Sequence, residues 1–282
     1  MIRRVGVVGC GLMGVGIVEA AARSGYEVVV REINDELLAK GMARLRGSLQ
    51  RAVERGKLDE AGRDAALGRI QGTTVLADLV GVDLVVEAIL EQMDDKKALL
   101  RELDRLVAPG VVLASNTSSL SITEMAAATG RAERVVGLHF FNPVPVMPLV
   151  EIVKGLRTSD EVVAAMRGFA QSLGKTVVVA RDTPGFIVNR LLIPYLLDAI
   201  RALELGVASR EDIDSAITLG LGHPMGPLTL LDFVGLDTTY YIAEAMFAEF
   251  KDTRYASPPL LRQMVLAGWL GRKSKRGFYE YQ

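Results

Sequence analysis

The sequence predicts an α/β fold, with a mostly parallel sheet domain followed by an all-helical C-terminal domain. Strand-like and helix-like segments alternate through the first two thirds of the 282 residues, a pattern typical of parallel α/β architecture. Beyond Thr183 the sequence offers only helix-like segments, and no low-complexity linker or internal repeat separates the two parts. We therefore expect two domains, at residues 1–183 and 184–282.

Short apolar runs, several of them rich in valine, predict the strands of the sheet. These strands are expected at residues 4–8, 27–31, 83–86, 111–114, 135–139, 149–153 and 175–180. Helices are expected between them, at residues 12–24, 35–55, 59–69, 94–107 and 160–173. A further helix begins at a capping box, Ser121-Ile-Thr-Glu124. Residues that directly follow the strands therefore lie at the sheet edge where open α/β sheets bind ligands.

The C-terminal domain is expected to begin with a helix at Pro184, because Thr183 is a favoured N-cap and proline favours the first helical position. The expected helices cover residues 184–205, 210–219, about 237–250 and 258–267. Apolar residues at 233–236 and 240–250 are of the kind that pair across a two-fold axis. We expect a homodimer held mainly by residues after about 184.

Composition excludes several classes of partner. The net charge of −1 gives no electrostatic reason to bind nucleic acid or an anionic membrane. No apolar run approaches the roughly 18 residues of a membrane span. The single cysteine, Cys10, excludes an intrachain disulfide and favours a reducing compartment. Arg3 and Arg4 precede an apolar stretch, but the glycines within it and Glu19 make a secretion signal a poor interpretation, so we expect a cytoplasmic protein.

A glycine motif predicts a Rossmann-like dinucleotide site. Gly9-Cys-Gly11-Leu-Met-Gly14 follows a strand and opens a helix, which is the context that gives this weak pattern its meaning. The helix N-terminus supplies N–H groups and positive potential to a pyrophosphate. Glu32 ends the second strand, where an acid binds the adenosine ribose and repels a 2′-phosphate. Arg31 beside it can accept that phosphate, so we expect NAD and leave NADP open.

His139 and Glu151 are ionisable residues set in apolar runs. Pro143, Pro145 and Pro148 break the chain between them, so it can double back and pair the two. A histidine paired with a carboxylate has a fixed tautomer and a raised basicity, which suits a general base. The alternative is a buried pair that only holds a turn.

Two other features have both a functional and a structural interpretation. The loop 116–119 follows a buried strand at the ligand-binding edge, but it can equally be a helix-capping loop. Basic residues recur on the helix after Glu32 within an arc of about 80°. These residues, with one serine among them, are Lys40, Arg44, Ser48, Arg51 and Arg55. They can bind a ligand rich in phosphates or form a solvated helix face, whereas His223 is expected to be a turn residue.

These motifs together resemble the L-3-hydroxyacyl-CoA dehydrogenase family, most closely its short bacterial members that act on 3-hydroxybutyryl-CoA, over essentially the whole chain. The resemblance rests on the glycine motif and on five further segments. They are Ala114-Ser-Asn-Thr-Ser-Ser-Leu120, Gly137-Leu-His-Phe-Phe-Asn-Pro-Val-Pro-Val-Met147, Asp182-Thr-Pro-Gly-Phe-Ile-Val-Asn-Arg190, Gly222-His-Pro-Met-Gly-Pro227 and Gly271-Arg-Lys-Ser-Lys-Arg-Gly-Phe-Tyr279. The second and third of these five are highly specific, whereas the glycine motif is not.

The resemblance implies an NAD(P)-dependent dehydrogenase that interconverts a 3-hydroxyacyl-CoA and a 3-ketoacyl-CoA, with roles for individual residues. The catalytic residues that it implies are His139, Glu151, Asn189 and Ser118. The cofactor contacts are Gly9, Gly11, Leu12, Met13, Gly14, Glu32, Glu91, Lys96, Ser118, Asn142 and Lys273. The coenzyme A contacts are Ser48, Arg55 and Ser118. No metal is implied.

Three positions depart from the family pattern. Glu32 stands where aspartate is frequent, Arg55 where lysine is usual, and Pro148 where lysine is common. None of these changes removes a catalytic group. Two other functions remain open: a related dehydrogenase of a free hydroxy acid of the sugar-acid type, and an inactive dinucleotide-binding sensor. The basic helix face argues against the first, and the intact catalytic set argues against the second.

Overall fold

The computed structural model describes residues 2–282, which divide into two compact units, one ending at Thr183 and the other beginning at Pro184. The first unit holds an eight-stranded sheet with strand order β3-β2-β1-β4-β5-β6-β7-β8. Its strands are β1 Arg4–Val8, β2 Glu27–Arg31, β3 Ile70–Thr73, β4 Leu84–Glu87, β5 Val112–Ser115, β6 Val135–Phe140, β7 Leu149–Lys154 and β8 Thr176–Arg181. All neighbours are parallel except β6 and β7, which are antiparallel. The predicted mostly parallel sheet is confirmed.

Six helices of the first unit connect these strands. They are α1 Leu12–Arg23, α2 Asp35–Glu54, α3 Glu60–Gly68, α4 Met93–Leu106, α5 Ile122–Ala127 and α6 Asp160–Ser172. The predicted capping interaction is confirmed, because the Ser121 hydroxyl accepts a hydrogen bond from the Glu124 N–H at 3.2 Å. The Glu124 carboxylate, however, pairs with Lys97 at 2.8 Å. Central strands are buried on both faces, which explains their continuous apolar runs.

Strand β3 was absent from the strands that the sequence predicted. Its residues, Ile-Gln-Gly-Thr, form no apolar run, and its two central residues are exposed. This strand lies at one edge of the sheet and pairs only with β2. An edge strand needs no continuous apolar surface, so its sequence carries little signal.

The second unit is built from five helices and a short terminal segment. The helices are α7 Val188–Glu204, α8 Arg210–Leu221, α9 Pro227–Val234, α10 Leu236–Phe250 and α11 Pro259–Leu266. The predicted helix start at Pro184 is wrong: Gly185 and Phe186 have φ of +79° and +49°, which a right-handed helix excludes. Helix α9 was missed, although Pro227 occupies the first helical turn as the sequence rules allow.

The C-terminal segment of this unit is held by one buried carboxylate, which was not expected from the sequence. Asp232 on α9 is 1% exposed and accepts hydrogen bonds at 2.9 Å from the N–H groups of Phe278 and Tyr279 and from the Tyr281 hydroxyl. Burial raises the pKa of the Asp232 carboxyl, against the effect of these hydrogen bonds. Isolated antiparallel bridges join Gly271 to Arg276 and Arg276 to Glu280 in this segment.

A membrane-spanning helix and a metal-binding cluster are both absent from residues 2–282, the part of the chain that the structure describes. None of the helices in this range is both long and apolar enough to cross a membrane. The same range holds no group of three or more histidine, cysteine or acidic side chains placed to bind a metal ion.

Candidate functional site

The glycine loop between β1 and α1 leaves room for a ligand at the helix N-terminus. Gly9 has a φ of +101°, and a Cβ on it would lie 2.5 Å from the Ala88 carbonyl oxygen. A Cβ on Gly14 would lie 1.8 Å from the Gly9 oxygen, so α1 packs closely on the loop. A Cβ on Gly11 would meet no atom within 4 Å. This open space lies directly before Leu12 and Met13, where the backbone of the first helical turn can meet an anion, so the loop fits a dinucleotide pyrophosphate.

Glu32 is tied to this loop at the end of β2. Its Oε2 accepts a hydrogen bond from the Cys10 N–H at 2.7 Å, and its Oε1 accepts one from the Ile33 N–H at 2.7 Å. Burial and the nearby Glu32 carboxylate raise the pKa of the Cys10 thiol to about 11, so Cys10 stays protonated near neutral pH. The carboxylate is thus fixed in place beside the loop, where the sequence predicted an acid for the ribose.

A polar network links the loops that follow β4 and β5. Glu91 accepts hydrogen bonds from the Thr117 hydroxyl at 2.5 Å and from the Ser118 N–H at 2.8 Å. The Lys96 ammonium lies behind it, 1% exposed, 3.2 Å from Glu91 and 2.6 Å from Glu87. Burial acts to raise the pKa of the Glu91 carboxyl, but Lys96, Thr117 and Ser118 together hold it below its usual value.

Sequence reasoning missed Glu87, although an acidic residue that ends a fully apolar strand is a signal that could have been used.

Asn116 connects this network to β6. Its side-chain Oδ1 accepts a hydrogen bond from the Phe140 N–H at 2.9 Å, and its own N–H donates to the Glu87 carbonyl at 2.8 Å. The loop 116–119 therefore joins two strand ends, which is more than helix capping requires.

His139 and Glu151 face each other across the antiparallel strands β6 and β7. The strand register pairs the two residues, and His139 Nδ1 lies 2.7 Å from Glu151 Oε2. Glu151 is completely buried and His139 is 6% exposed. The imidazole ring also packs against Phe141, with 4.5 Å between ring centres. The predicted pairing of the two residues is confirmed, and the reversal of the chain between them produces it.

The proline-rich segment between β6 and β7 is fastened by a buried lysine. The Lys175 ammonium donates hydrogen bonds to the carbonyls of Val144 at 2.5 Å and Met147 at 2.9 Å. Burial, assisted by Arg23, lowers the pKa of Lys175. Asn142 is exposed and precedes a cis peptide bond to Pro143. Lys175 was not predicted, because its partners are backbone atoms about 30 residues away.

The basic face of α2 is open to solvent. Lys40, Arg44, Arg51 and Arg55 are exposed and Ser48 is half-buried. Gly41, Leu45 and Leu49, on the adjacent face of the helix, are buried. Among the described residues 2–282, no acidic side chain forms an ion pair with any of these four cations. The face therefore presents uncompensated positive charge.

Other residues that the sequence singled out belong to the second unit. Asn189 lies in the first turn of α7 and is half-buried. Lys273 is exposed and its Nζ lies 2.5 Å from Asp237. His223 packs edge-on against Tyr195, with 5.9 Å between ring centres, as a turn residue can. The first unit thus brings together the glycine loop with Glu32, Glu91 with Ser118, and His139 with Glu151. Asn189 and Lys273 belong to the second unit.

Comparisons with known proteins cover nearly the whole chain. Residues 4–183 match the family model described as 3-hydroxyacyl-CoA dehydrogenase, NAD binding domain, and residues 185–281 match 3-hydroxyacyl-CoA dehydrogenase, C-terminal domain. A 3-hydroxybutyryl-CoA dehydrogenase of Mycobacterium tuberculosis is 55% identical over 282 residues, which is 99% of each chain. The human mitochondrial hydroxyacyl-coenzyme A dehydrogenase is 44% identical, over 100% of this chain and 92% of that one. The crystal structure of (S)-3-hydroxybutyryl-CoA dehydrogenase from Ralstonia eutropha is similar with a TM-score of 0.96 and 47% identity, over 100% of both chains.

Proposed function

Because this chain belongs to the 3-hydroxyacyl-CoA dehydrogenase family, we propose that it interconverts 3-hydroxybutyryl-CoA and acetoacetyl-CoA. The resemblance that the sequence motifs predicted is confirmed, and NAD is the cofactor of the family's first domain. The observation that carries the proposal is the buried His139–Glu151 pair. It lies on the sheet whose β1–α1 loop is open to a dinucleotide.

His139 is the proton-transfer residue in this proposal. Its Nδ1 is committed to Glu151, so the proton moves at Nε2. In the oxidation, Nε2 takes the proton of the substrate hydroxyl while the C3–H bond breaks and a ketone forms. The bound nicotinamide supplies the hydride acceptor. In the reduction the same atom returns the proton to the developing alkoxide, so one residue serves as base and acid.

Glu151 orients and charges the imidazole. A completely buried carboxylate 2.7 Å from Nδ1 holds that nitrogen in its protonated form and stabilises the imidazolium that forms when Nε2 takes a second proton. Low exposure of both side chains strengthens this interaction because water screens it little.

The remaining contacts follow the family pattern. Ser118 and Asn142 donate hydrogen bonds to the substrate and the nicotinamide end, and Asn189 helps to hold the reacting oxygen. Glu32 accepts the ribose hydroxyls. Glu91, Lys96 and Lys273 complete the cofactor set, and Lys96, at 1% exposure, acts through Glu91.

We assign the coenzyme A nucleotide to the basic face of α2. Its exposed, unpaired cations suit a ligand that carries several phosphate charges. Ser48 and Arg55 are the residues of this face that the family pattern marks. The same face argues against a free hydroxy acid as the substrate, since a small carboxylate needs no extended cationic surface.

The test is to follow the absorbance of the reduced cofactor with acetoacetyl-CoA and, separately, with free acetoacetate. We expect turnover of acetoacetyl-CoA with NADH and a kcat/KM for free acetoacetate that is lower by orders of magnitude. Equal turnover of the free acid would support a hydroxy-acid dehydrogenase instead. Absence of turnover with both substrates, at a measurable affinity for NADH, would support a sensor.

A further inference from the structure

Besides Glu91, a second acidic residue, Glu87, lies behind the loop that carries Ser118. Glu87 ends β4 and is completely buried, and Lys96 on α4 is 1% exposed. The Lys96 Nζ bridges Glu87 Oε1 at 2.6 Å and Glu91 Oε2 at 3.2 Å. A buried ammonium needs partners of opposite charge. Glu87, Lys96 and Glu91 therefore act as one unit, which we call the buried triad.

Glu87 is the fixed end of the buried triad. Its Oε1 also accepts a hydrogen bond from the Ile89 N–H at 2.7 Å, and its Oε2 accepts one from the Ser115 hydroxyl at 2.5 Å. Its carbonyl accepts a hydrogen bond from the Asn116 N–H at 2.8 Å. These bonds join β4, the turn that follows it and the end of β5. The Glu87 side chain is completely buried, so it is not exposed to a ligand.

Glu91 is the end of the buried triad that faces the site. Its side chain is 28% exposed, compared with 1% for Lys96. It receives the Thr117 hydroxyl, the Ser118 N–H at 2.8 Å and the Ser118 hydroxyl at 3.3 Å. A shift of Glu91 would therefore move the loop that carries Ser118. The position of Glu91 depends on Lys96, and the position of Lys96 depends on Glu87.

We propose that Glu87 is a positioning residue: it anchors the Lys96 ammonium, and Lys96 in turn holds the Glu91 carboxylate against Ser118. The inference rests on the proposed function, in which Glu91 and Ser118 face the cofactor. Glu87 belongs to none of the motifs that identify the family resemblance, and its role follows from the three-dimensional network alone.

The experiment measures the Kd of NADH by fluorescence titration in Glu87→Gln, which keeps the shape of the side chain and removes its charge. We expect the Kd to rise about tenfold, because weakening one hydrogen bond to a charged group changes a binding constant by about that factor. The Kd of coenzyme A, measured alone, should stay unchanged. Asp104→Asn is the matched control, because it loosens the Arg131 pair at the far end of the same helix α4.

A double-mutant cycle separates positioning from a general loss of stability. If Glu87 acts through Lys96, Glu87→Gln should have no further effect on the NADH affinity in the Lys96→Met background. Ser115→Ala is the milder variant in case Glu87→Gln fails to fold. It removes the hydrogen bond from the Ser115 hydroxyl to Glu87 and also the acceptor of the Thr117 N–H at 3.2 Å, and it should raise the Kd of NADH by a smaller factor in the same direction. The part of this effect that acts through Glu87 should disappear in the Lys96→Met background.

Several results would overturn the inference. The first is an unchanged NADH affinity in folded Glu87→Gln or, where that variant does not fold, in Ser115→Ala. The second is an equal loss of affinity for NADH and for coenzyme A. The third is the same loss of NADH affinity from Glu87→Gln with and without Lys96.

Glu91→Gln distinguishes a failure of this inference from a failure of the proposed function. If Glu91→Gln binds NADH normally, the cofactor role of Glu91 is wrong and the inference falls with it. If Glu91→Gln weakens NADH binding and Glu87→Gln does not, only the role of Glu87 is wrong.

Discussion

Glu32→Ala should shift the cofactor preference away from NADH and towards NADPH. The Glu32 carboxylate is fixed by two N–H groups at 2.7 Å, so it cannot swing away from an arriving 2′-phosphate. Two like charges about 5 Å apart, at an effective dielectric constant between about 20 and 80, repel each other by roughly 1–3 kcal/mol. This energy corresponds to about 5- to 150-fold in relative affinity.

The same substitution should also weaken NADH binding. A hydrogen bond to a charged acceptor contributes about 1.5–3 kcal/mol, and Glu32→Ala removes the acceptor for the ribose hydroxyls. The ratio of kcat/KM for NADH to that for NADPH should therefore fall by at least about tenfold. Glu32→Ala also leaves the buried Cys10 N–H without its acceptor, so the Tm of the variant should fall slightly.

The assay is steady-state reduction of acetoacetyl-CoA with each cofactor. Glu36→Ala is the control, because it removes an exposed acid from the first turn of α2 and changes the net charge equally. Its cofactor ratio should match that of the wild type. A wild-type kcat/KM higher for NADPH than for NADH would refute the assignment, as would an unchanged ratio in Glu32→Ala.

Three further predictions concern the basic face, the assembly and the C-terminal segment. Arg55→Ala should raise the KM for acetoacetyl-CoA about 5- to 10-fold, because it removes one hydrogen bond from a charged group, and it should leave the KM for a truncated, nucleotide-free thioester unchanged. Arg46→Ala, which lies off this face, is the control. Equal losses on both substrates would contradict the assignment. Light scattering at micromolar concentration should give about twice the 30.5 kDa chain mass, and a mass near 30.5 kDa would exclude the homodimer that we propose. Gly277→Ala should lower the free energy of unfolding by about 1–3 kcal/mol in denaturant titration, because its Cβ would lie 1.9 Å from Asp232 Oδ1. Gly220→Ala, with open space around its Cβ, should have no such cost, and equal stabilities of the two variants would contradict this reasoning.

The sequence predicted correctly those elements in which the local pattern of apolar residues matches the surface that the fold buries. Buried parallel strands such as β1 and β2 need apolar residues on both faces, so their bounds could be predicted to the residue. The prediction of a helix beginning at Pro184 was wrong. Proline is favoured at the first helical position, but Gly185 and Phe186 have positive φ, which a right-handed helix excludes. Strand β3 could not be predicted, because a strand at the edge of the sheet does not need a continuous run of apolar side chains.

The candidate site shows the same division. The pairing of His139 with Glu151 could be predicted, since prolines mark the chain reversal and both residues interrupt apolar runs. The contacts of Glu87 and Lys175 could not, because each joins segments that are distant along the chain. A buried charge can be recognised from its apolar surroundings, but its partners are known only from the fold.

A double-mutant cycle on the rate of acetoacetyl-CoA reduction measures whether His139 and Glu151 act together as the catalytic pair. His139→Gln should lower kcat by on the order of 100- to 10,000-fold, which is the usual contribution of general acid–base catalysis. Glu151→Gln should cost less, because it removes only the counter-charge 2.7 Å from Nδ1. The double variant should be little worse than His139→Gln alone, since the two residues act as one unit. All three should bind NADH with the wild-type Kd. A near-normal kcat in His139→Gln, or a double loss equal to the product of the single losses, would contradict the account.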